Sequence, residues 1–209
     1  MAKTKTAAAM DELQSHLRPF FQQRGYRLRA RTFNRGTSDG LVHVISFQMG
    51  QRSLQGKFTV NVGVYVPEVA RVEYGPNGRS FVQEPECCVR HRLGTLGPEH
   101  RDLWWDLLPN GPSAESLQLR LERDALPFLA RFETRDSVFQ ELSRLKGNSG
   151  AGMPPRLVCA ILLVHRGQDT KAKETLAAQI REAMNKGHKG HADYVQRLAE
   201  HLGLGSIPS

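Results

Sequence analysis

The chain has 209 residues, enough for one large or two small domains that need neither disulfides nor a metal to hold their core. Its composition, 39% hydrophobic and 24% charged, is typical of a soluble globular protein. Three cysteines, two of them adjacent, argue against a disulfide framework and indicate a cytoplasmic protein. The longest apolar run, residues 157–164, is too short to span a bilayer, and the first residues do not resemble a secretory signal.

The net charge of +8 is spread along the chain: residues 1–106 hold 15 Lys/Arg against 10 Asp/Glu (+5), and residues 107–209 hold 14 against 11 (+3). Arg27, Arg29 and Arg31 share one face of a predicted strand, and such a stripe can follow the phosphates of a nucleic acid. Arginine on the outer face of an edge strand also prevents edge-to-edge association, and the stripe has no interleaved aromatic residues. Nucleic-acid binding through these arginines is therefore the alternative interpretation.

The first half of the chain predicts one helix followed by a sheet. Apolar residues at helical spacing predict a helix over residues 7–24, with Pro19 as a kink or an early end. Four strands follow, at residues 26–34, 41–49, 57–66 and 87–93. The first connections are short, so the strands form an antiparallel meander. Residues 73–86 read as an exposed loop with a Pro-Asn-Gly turn at its tip.

The third predicted strand raises the question of what its second face does. Phe58 and the valines at alternate positions fall on one side of the extended chain and predict the core. Asn61, Gly63 and Tyr65 fall on the other side. That side is either ordinary solvated sheet or the wall of a binding site.

The second half of the chain predicts helices. Ser113 caps a helix that runs to residue 132 and that Pro127 bends or splits. A helix at 136–146 leads to a Gly- and Pro-rich break at 147–155, which reads as a linker or hinge. Helices at 155–165, 170–184 and 192–202 follow, and the HKGH run with His188 and His191 reads as the loop before the last of them.

These elements define an α+β fold with an N-terminal helix, a four-stranded antiparallel sheet and C-terminal helices packed as a hairpin plus one. We expect a sheet domain over residues 1–110 and a helical extension over residues 111–209 that packs on the sheet or offers a docking surface.

The string ECCVRHR is the strongest candidate for chemistry. Cys87, Cys88 and His91 lack the paired spacing of a metal site, so no metal is predicted. A nucleophile is the sharper alternative, because strand alternation would put Cys88 beside Arg90 and Arg92 and lower its pKa. Inert buried cysteines are the simpler interpretation.

His43 shares a face with apolar residues and predicts a hydrogen-bonded core histidine.

The adjacent tryptophans of DLWWDL offer one ring for the core and one for ligand stacking, and Trp105 is assigned to the site. The chain shows no glycine-rich phosphate loop and no serine elbow, and we predict no cofactor.

Five blocks in order give a family resemblance: LRPFFQQRGYRLRARTFNR, DGLVHVISFQMG, GKFTVNVGVYVP, ECCVRHRLG and DLWWDL. Over residues 10–110 they resemble the bacterial family catalogued as domain of unknown function 4304. Cys88 stands where that family usually has histidine, which weakens any role built on an imidazole there. The family name implies a fold and no reaction.

The blocks also carry four polar residues that alternation places on the second face of the sheet, Gln48, Asn61, Arg90 and Arg92. Amide and guanidinium groups together suit a carboxylate, a phosphate or a peptide backbone. A buried polar network that ties the sheet to the helices is the equally weighted alternative. With Glu86 and Trp105, these residues form the predicted binding site.

We therefore expect a non-enzymatic binding or interaction protein with a protein partner, and an immunity-like protein that neutralises its partner is one form of that expectation. The alternatives are weak nucleic-acid binding through the arginine stripe and a cryptic cysteine-dependent hydrolase or transferase that uses Cys88 or His91.

Overall fold

The computed structural model describes residues 4–75, 81–108, 111–145 and 153–207. Within those ranges an N-terminal helix precedes a six-stranded sheet and a group of helices, which confirms the predicted α+β class. The strands are β1 (Arg27–Arg29), β2 (Thr32–Gly36), β3 (Val42–Met49), β4 (Lys57–Tyr65), β5 (Val89–Arg92) and β6 (Trp105–Asp106). The α-helices are α1 (Lys5–Gln22), α2 (Pro67–Tyr74), α3 (Leu93–Leu96), α4 (Ala114–Arg120), α5 (Leu126–Ala130), α6 (Arg135–Ser143), α7 (Pro155–His165), α8 (Asp169–Asn185) and α9 (Lys189–His201).

Helix α1 packs along the core side of the sheet. The Thr4 hydroxyl caps its N-terminus by accepting a hydrogen bond from the backbone of the first turn. Its apolar side chains recur at helical spacing, and Met10 and Phe21 are fully buried. The helix ends at Gln22, within one turn of Pro19, which agrees with the early end that this proline predicts.

The strands lie in the order β1-β2-β3-β4-β5, all antiparallel, and β6 pairs with the start of β4. This order confirms the predicted meander. The first predicted strand is corrected, because residues 26–34 hold a hairpin in which Arg29 pairs with Thr32. Ala30 makes the turn with a φ of 53°, a left-handed conformation usually taken by glycine or asparagine. Alanine is not a residue that predicts a turn, so this hairpin could not be predicted from the sequence.

One face of the sheet carries the main hydrophobic core. Phe33, Phe47 and Phe58 stand side by side on β2, β3 and β4, with ring centroids 5.9 and 6.3 Å apart. Apolar residues of α1 and of helices α4 to α9 belong to the same buried cluster, so the C-terminal helices share their core with the sheet. The apolar side of β4 is therefore core, as the alternation predicts.

The helix predicted over residues 113–132 is split, as Pro127 predicts. Ser113 caps α4, a π-helical turn spans Leu121–Ala125, and α5 begins at Leu126. Proline has no N–H to bond the carbonyl four residues earlier, and the wider π turn falls just before that gap.

The last three helices stack in sequence. α7 is buried almost all round, and α8 lies between α7 and α9. The predicted loop at HKGH is corrected, since α9 already begins at Lys189 and includes His191. The predicted Pro-Asn-Gly turn and residues 147–152 of the predicted linker lie outside the described residues.

Candidate binding site on the second face of the sheet

Two rows of side chains cross the second face of the sheet from edge to edge. Directly opposed residues of antiparallel strands point to the same face, so the strand register identifies both rows. The first row is Arg29, Thr32, Ser46, Asn61 and Arg92, and the second is Arg27, Asn34, Val44, Gly63 and Arg90. Each row therefore begins and ends with arginine. Four strand spacings separate the ends by about 19 Å.

The segment before β5 covers the middle of the second row. Val82 and Cys87 pack on Val44 in a small apolar cluster, and the Asn34 amide donates to the Val82 carbonyl at 3.1 Å. A side chain at Gly63 would meet this cover, since an added Cβ would lie 2.8 Å from the Cys87 sulfur. Half of the second face is thus a minor core.

The first row borders two open concavities, although Thr32 and Asn61 within it are themselves buried. We call the polar part of this surface the polar sheet face, defined as Arg27, Arg29, Thr32, Ser46, Gln48, Asn61, Arg90 and Arg92. A shallow concavity of about 780 Å³ extends over its middle. A smaller one of about 310 Å³, here named the Arg92 pocket, is lined by Gln48, Asn61, Glu84, Arg90, His91, Arg92 and Thr95. The structure therefore brings Gln48, Asn61, Arg90 and Arg92 together, beside an open cavity.

Asn61 and Gln48 form the floor of the Arg92 pocket. The Asn61 amide Nδ2 donates to Gln48 Oε1 at 2.9 Å across the β3–β4 pair. Asn61 is only 7% exposed, whereas Gln48 is exposed. The bond fixes the Gln48 carbonyl and leaves its Nε2 amide free to donate toward solvent.

Arg90 is held by Glu84, a residue that no sequence motif marks as part of the site. Its Nε donates to Glu84 Oε1 at 2.6 Å and its Nη2 to Glu84 Oε2 at 3.2 Å. This hydrogen bonding raises the pKa of Arg90. The predicted residue, Glu86, instead accepts from the Gln83 backbone at 2.7 Å and caps the short helical turn. The only sequence signal for Glu84 is that two glutamates flank Pro85.

Arg92 is paired with Asp102 and stacks on Trp104. Its Nη1 donates to the Asp102 carboxylate, and its guanidinium carbon lies 5.0 Å from the centre of the Trp104 ring. The Trp104 indole also donates to Asp102 Oδ2, at 3.2 Å. Asp102 is therefore a carboxylate held by two donors, one of which, Arg92, lines the pocket.

Trp105, the predicted site tryptophan, lies on the opposite face. It pairs with Phe58 in the β4–β6 ladder, and the two ring centroids are 5.6 Å apart on the core side. The structure thus places Trp104, and not Trp105, beside the polar sheet face. The pairing of β6 with β4 decides which tryptophan faces the core, and no local sequence pattern predicts that pairing.

The arginine stripe divides between two elements. Arg27 and Arg29 lie on β1, exposed at the sheet edge and on the polar sheet face. Arg31 belongs to the turn and not to a shared strand, and it lines the larger concavity. Across the part of the chain that the structure describes, none of the three makes an ion pair.

Cys88 does not lie beside the arginines. Regular alternation begins only at Val89, and Cys88 belongs to the main core while Cys87 belongs to the minor one. Burial raises the pKa of Cys88 to about 12 and raises the pKa of Cys87 as well. The Cys88 thiol donates weakly to the Val64 carbonyl at 3.6 Å. These are inert core thiols at neutral pH.

The histidines of the sheet also face the core side. His43 is completely buried, with Nε2 2.9 Å from the Phe132 carbonyl and Nδ1 2.8 Å from Arg35 Nη2. Because arginine can only donate, Nδ1 accepts and Nε2 carries the hydrogen. Burial lowers the pKa of His43, and burial likewise lowers the pKa of His91, whose ring packs 4.9 Å from that of Phe128.

The residues that the structure describes contain no group of three or more His, Cys, Asp or Glu side chains placed to hold a metal ion. None of the described helices combines the length and the apolar character needed to cross a membrane.

Fold and site together define an α+β sheet protein with a polar face framed by arginines. The chain matches the family described as Domain of unknown function (DUF4304) over residues 17–131. This match covers more than half of the chain, so the protein belongs to that family, which confirms the resemblance. The matched range includes every residue of the polar sheet face. No curated protein and no solved structure matches the chain.

Proposed function

We propose that the protein is a non-enzymatic binding protein and that the polar sheet face is its contact surface. The observation that carries the proposal is a set of donors at the Arg92 pocket that have no partner among the described residues. They are the Gln48 Nε2 amide and the Nε and Nη2 groups of Arg92. Buried polar groups of a structural network bond within the protein. These donors belong to solvent-accessible side chains that line an open cavity, so they are available to a ligand.

The same geometry weighs against the cysteine-dependent enzyme. A nucleophilic cysteine needs a thiolate beside a cation, but the two sulfurs nearest the arginines are buried and their pKa values are raised. All three cysteines are free and buried, which supports a reducing, cytoplasmic setting. An immunity-like role in neutralising a protein partner is compatible with such a surface, by analogy only.

Nucleic-acid binding is the second candidate, because Arg27 and Arg29 lie on the same face as Arg90 and Arg92. Under this alternative, binding of single-stranded DNA weakens steeply as salt is added. The only aromatic ring that contacts an arginine of this face among the described residues is that of Trp104, which is few for a stacking platform. No mobility shift at low salt would remove the alternative.

Affinity capture from a lysate of the encoding organism tests the proposed function. The tagged wild type is compared with a Gln48→Ala, Arg92→Ala double variant and with Arg144→Ala, which removes an exposed arginine on another element. We expect a partner that the wild type and Arg144→Ala both retain and that the double variant loses. Identical partner sets for all three proteins would contradict the proposal.

A further inference from the structure

The Arg92 pocket offers donors and few acceptors. Arg90 occupies both oxygens of Glu84, and Asn61 occupies the Gln48 carbonyl oxygen. The remaining groups of Gln48 and Arg92 are N–H donors. An ionised carboxylate or a phosphate only accepts hydrogen bonds, so an anionic oxygen group is the chemistry that this pocket complements.

The protein already holds one such group on Arg92. The Asp102 carboxylate accepts from Arg92 and from the Trp104 indole while its side chain remains 48% exposed. An exposed ion pair of this kind contributes little stability, so an incoming anion can exchange with it. Asp102 therefore shows which group fits the two donors, and it competes with any ligand that brings the same group.

The local charge selects a carboxylate over a phosphate dianion. Arg90 and Glu84 neutralise each other, so displacement of Asp102 uncovers the single positive charge of Arg92. A monoanionic carboxylate balances that charge, whereas a phosphate dianion would leave an excess negative charge in the pocket. A nucleic-acid phosphodiester is also a monoanion, and the oligothymidylate in the test below distinguishes it from the carboxylate. The protein as a whole is basic, with a net charge of +8.

The arginines at the far edge of the polar sheet face also favour acidic groups. Arg27 and Arg29 are exposed there and form no ion pair within the described ranges. The row from Arg29 to Arg92 spans about 19 Å, which about six residues of an extended peptide cover. A strand-like segment with acidic side chains at both ends would meet arginines at both ends.

We propose that the polar sheet face takes an acidic, extended segment of a partner protein, and that a carboxylate of this segment replaces Asp102 on Arg92. This proposal rests on the proposed binding function and names the chemistry of the partner. Asp102 then acts as a built-in competitor that limits affinity.

Fluorescence anisotropy with a labelled deca-glutamate peptide tests the proposal, and a labelled ten-nucleotide oligothymidylate serves as a polyanion of similar charge. Asp102→Asn removes the competitor, and we expect it to tighten peptide binding about three- to fivefold, the upper range for an exposed ion pair. Asp106→Asn is the matched control, because it removes an exposed carboxylate from β6, where it pairs with Lys57.

Arg92→Gln tests whether Arg92 itself binds the peptide carboxylate. We expect it to weaken peptide binding and to abolish the gain from Asp102→Asn in the double variant, whereas Arg144→Gln leaves both unchanged. Equal gains from Asp102→Asn and Asp106→Asn would overturn the proposal by showing a general charge effect. Tighter binding of the oligothymidylate, with the same dependence on Asp102, would also overturn it and assign the face to nucleic acid.

The experiments distinguish failure of the proposed binding function from failure of the proposed carboxylate ligand. A lysate partner that depends on Gln48 and Arg92, together with no response of the peptide to Asp102→Asn, would retain the binding function and reject the carboxylate. Thermal unfolding of each variant shows whether the fold is intact.

Discussion

At the scale of single residues, what packs over each second-face residue of β4 decides whether that residue belongs to the minor core or lines the site. Gly63 lies beneath Cys87, whereas Asn61, two residues earlier on the same face, lines the Arg92 pocket while itself only 7% exposed. A small residue allows the cover to close, and a polar residue lines the pocket beside it. The contrast between these two residues defines the boundary of the site.

Replacement of Gly63 tests the cover. In Gly63→Ala the new Cβ would lie 2.8 Å from the Cys87 sulfur and 3.3 Å from the Val89 carbonyl oxygen. We expect a loss of about 1–3 kcal/mol in the free energy of unfolding, typical of overpacking. Chemical denaturation measures the loss. Gly36→Ala is the control, since a Cβ at that strand glycine has nothing within 4 Å; an equal loss at both positions would show that the cover plays no part.

His43 makes stability depend on pH. Burial lowers the pKa of its imidazole, so the unfolded chain binds a proton more readily than the folded one. The contribution of His43 to stability is complete above its unfolded pKa of about 6.5 and is lost as pH falls from there toward the folded pKa.

We expect the free energy of unfolding to fall between pH 7.5 and pH 5, by up to about 1.4 kcal/mol per pH unit for this one proton. Urea denaturation across that range measures the slope, and we expect His43→Gln to reduce it. A slope unchanged in His43→Gln would contradict the assignment.

At the scale of elements, the β1–β2 hairpin brings the arginine pair to the polar sheet face. Its turn is formed by Ala30 and Arg31, and β1 is only three residues long. The register that follows, Arg29 opposite Thr32, decides which side of the sheet the arginines occupy. The hairpin therefore places two arginines of the polar sheet face and is not only an edge of the sheet.

Ala30→Gly tests the turn, because it relieves the left-handed conformation of an alanine at a φ of 53°. We expect the variant to be about as stable as the wild type or up to about 1 kcal/mol more stable, as measured by thermal unfolding. The opposite sign is expected for Ala178→Gly within α8, which costs about 1 kcal/mol of helix stability. Equal destabilisation by both substitutions would rule out the left-handed turn.

At the scale of the whole molecule, one face of the sheet is given to the core and the other is shared between a minor core and a polar surface. Helices from both ends of the chain cover the apolar face, and their buried residues form one cluster. The short segment before β5 covers only part of the second face. This asymmetry leaves an arginine-framed surface on a basic protein, within the range that the family match covers.

The order of elements and the sharing of a face by Gln48, Asn61, Arg90 and Arg92 could be predicted from the sequence, because alternation within a regular strand is a local property. The predictions failed where the outcome depends on distant pairing. Cys88 precedes the start of β5, so alternation does not reach it, and Trp105 follows the register of β6 against β4.

The charge partners could not be predicted for the same reason. Glu84 meets Arg90 through a turn, and Asp102 meets Arg92 across an irregular connection. Neither geometry has a periodic signal in the sequence. The binding role itself remains a prediction.

A nitrogen-15 correlation spectrum recorded during titration with the deca-glutamate peptide tests whether a carboxylate displaces Asp102 from Arg92. We expect the Gln48 side-chain amide, the Arg92 Nε–H and the Trp104 indole N–H to shift together, because the peptide displaces Asp102 from its two donors. The Trp105 indole on the core face serves as the internal control and stays in place. Shifts that spare these groups and occur elsewhere, for example at the cleft lined by Arg156 and Lys186, would contradict binding at Arg92.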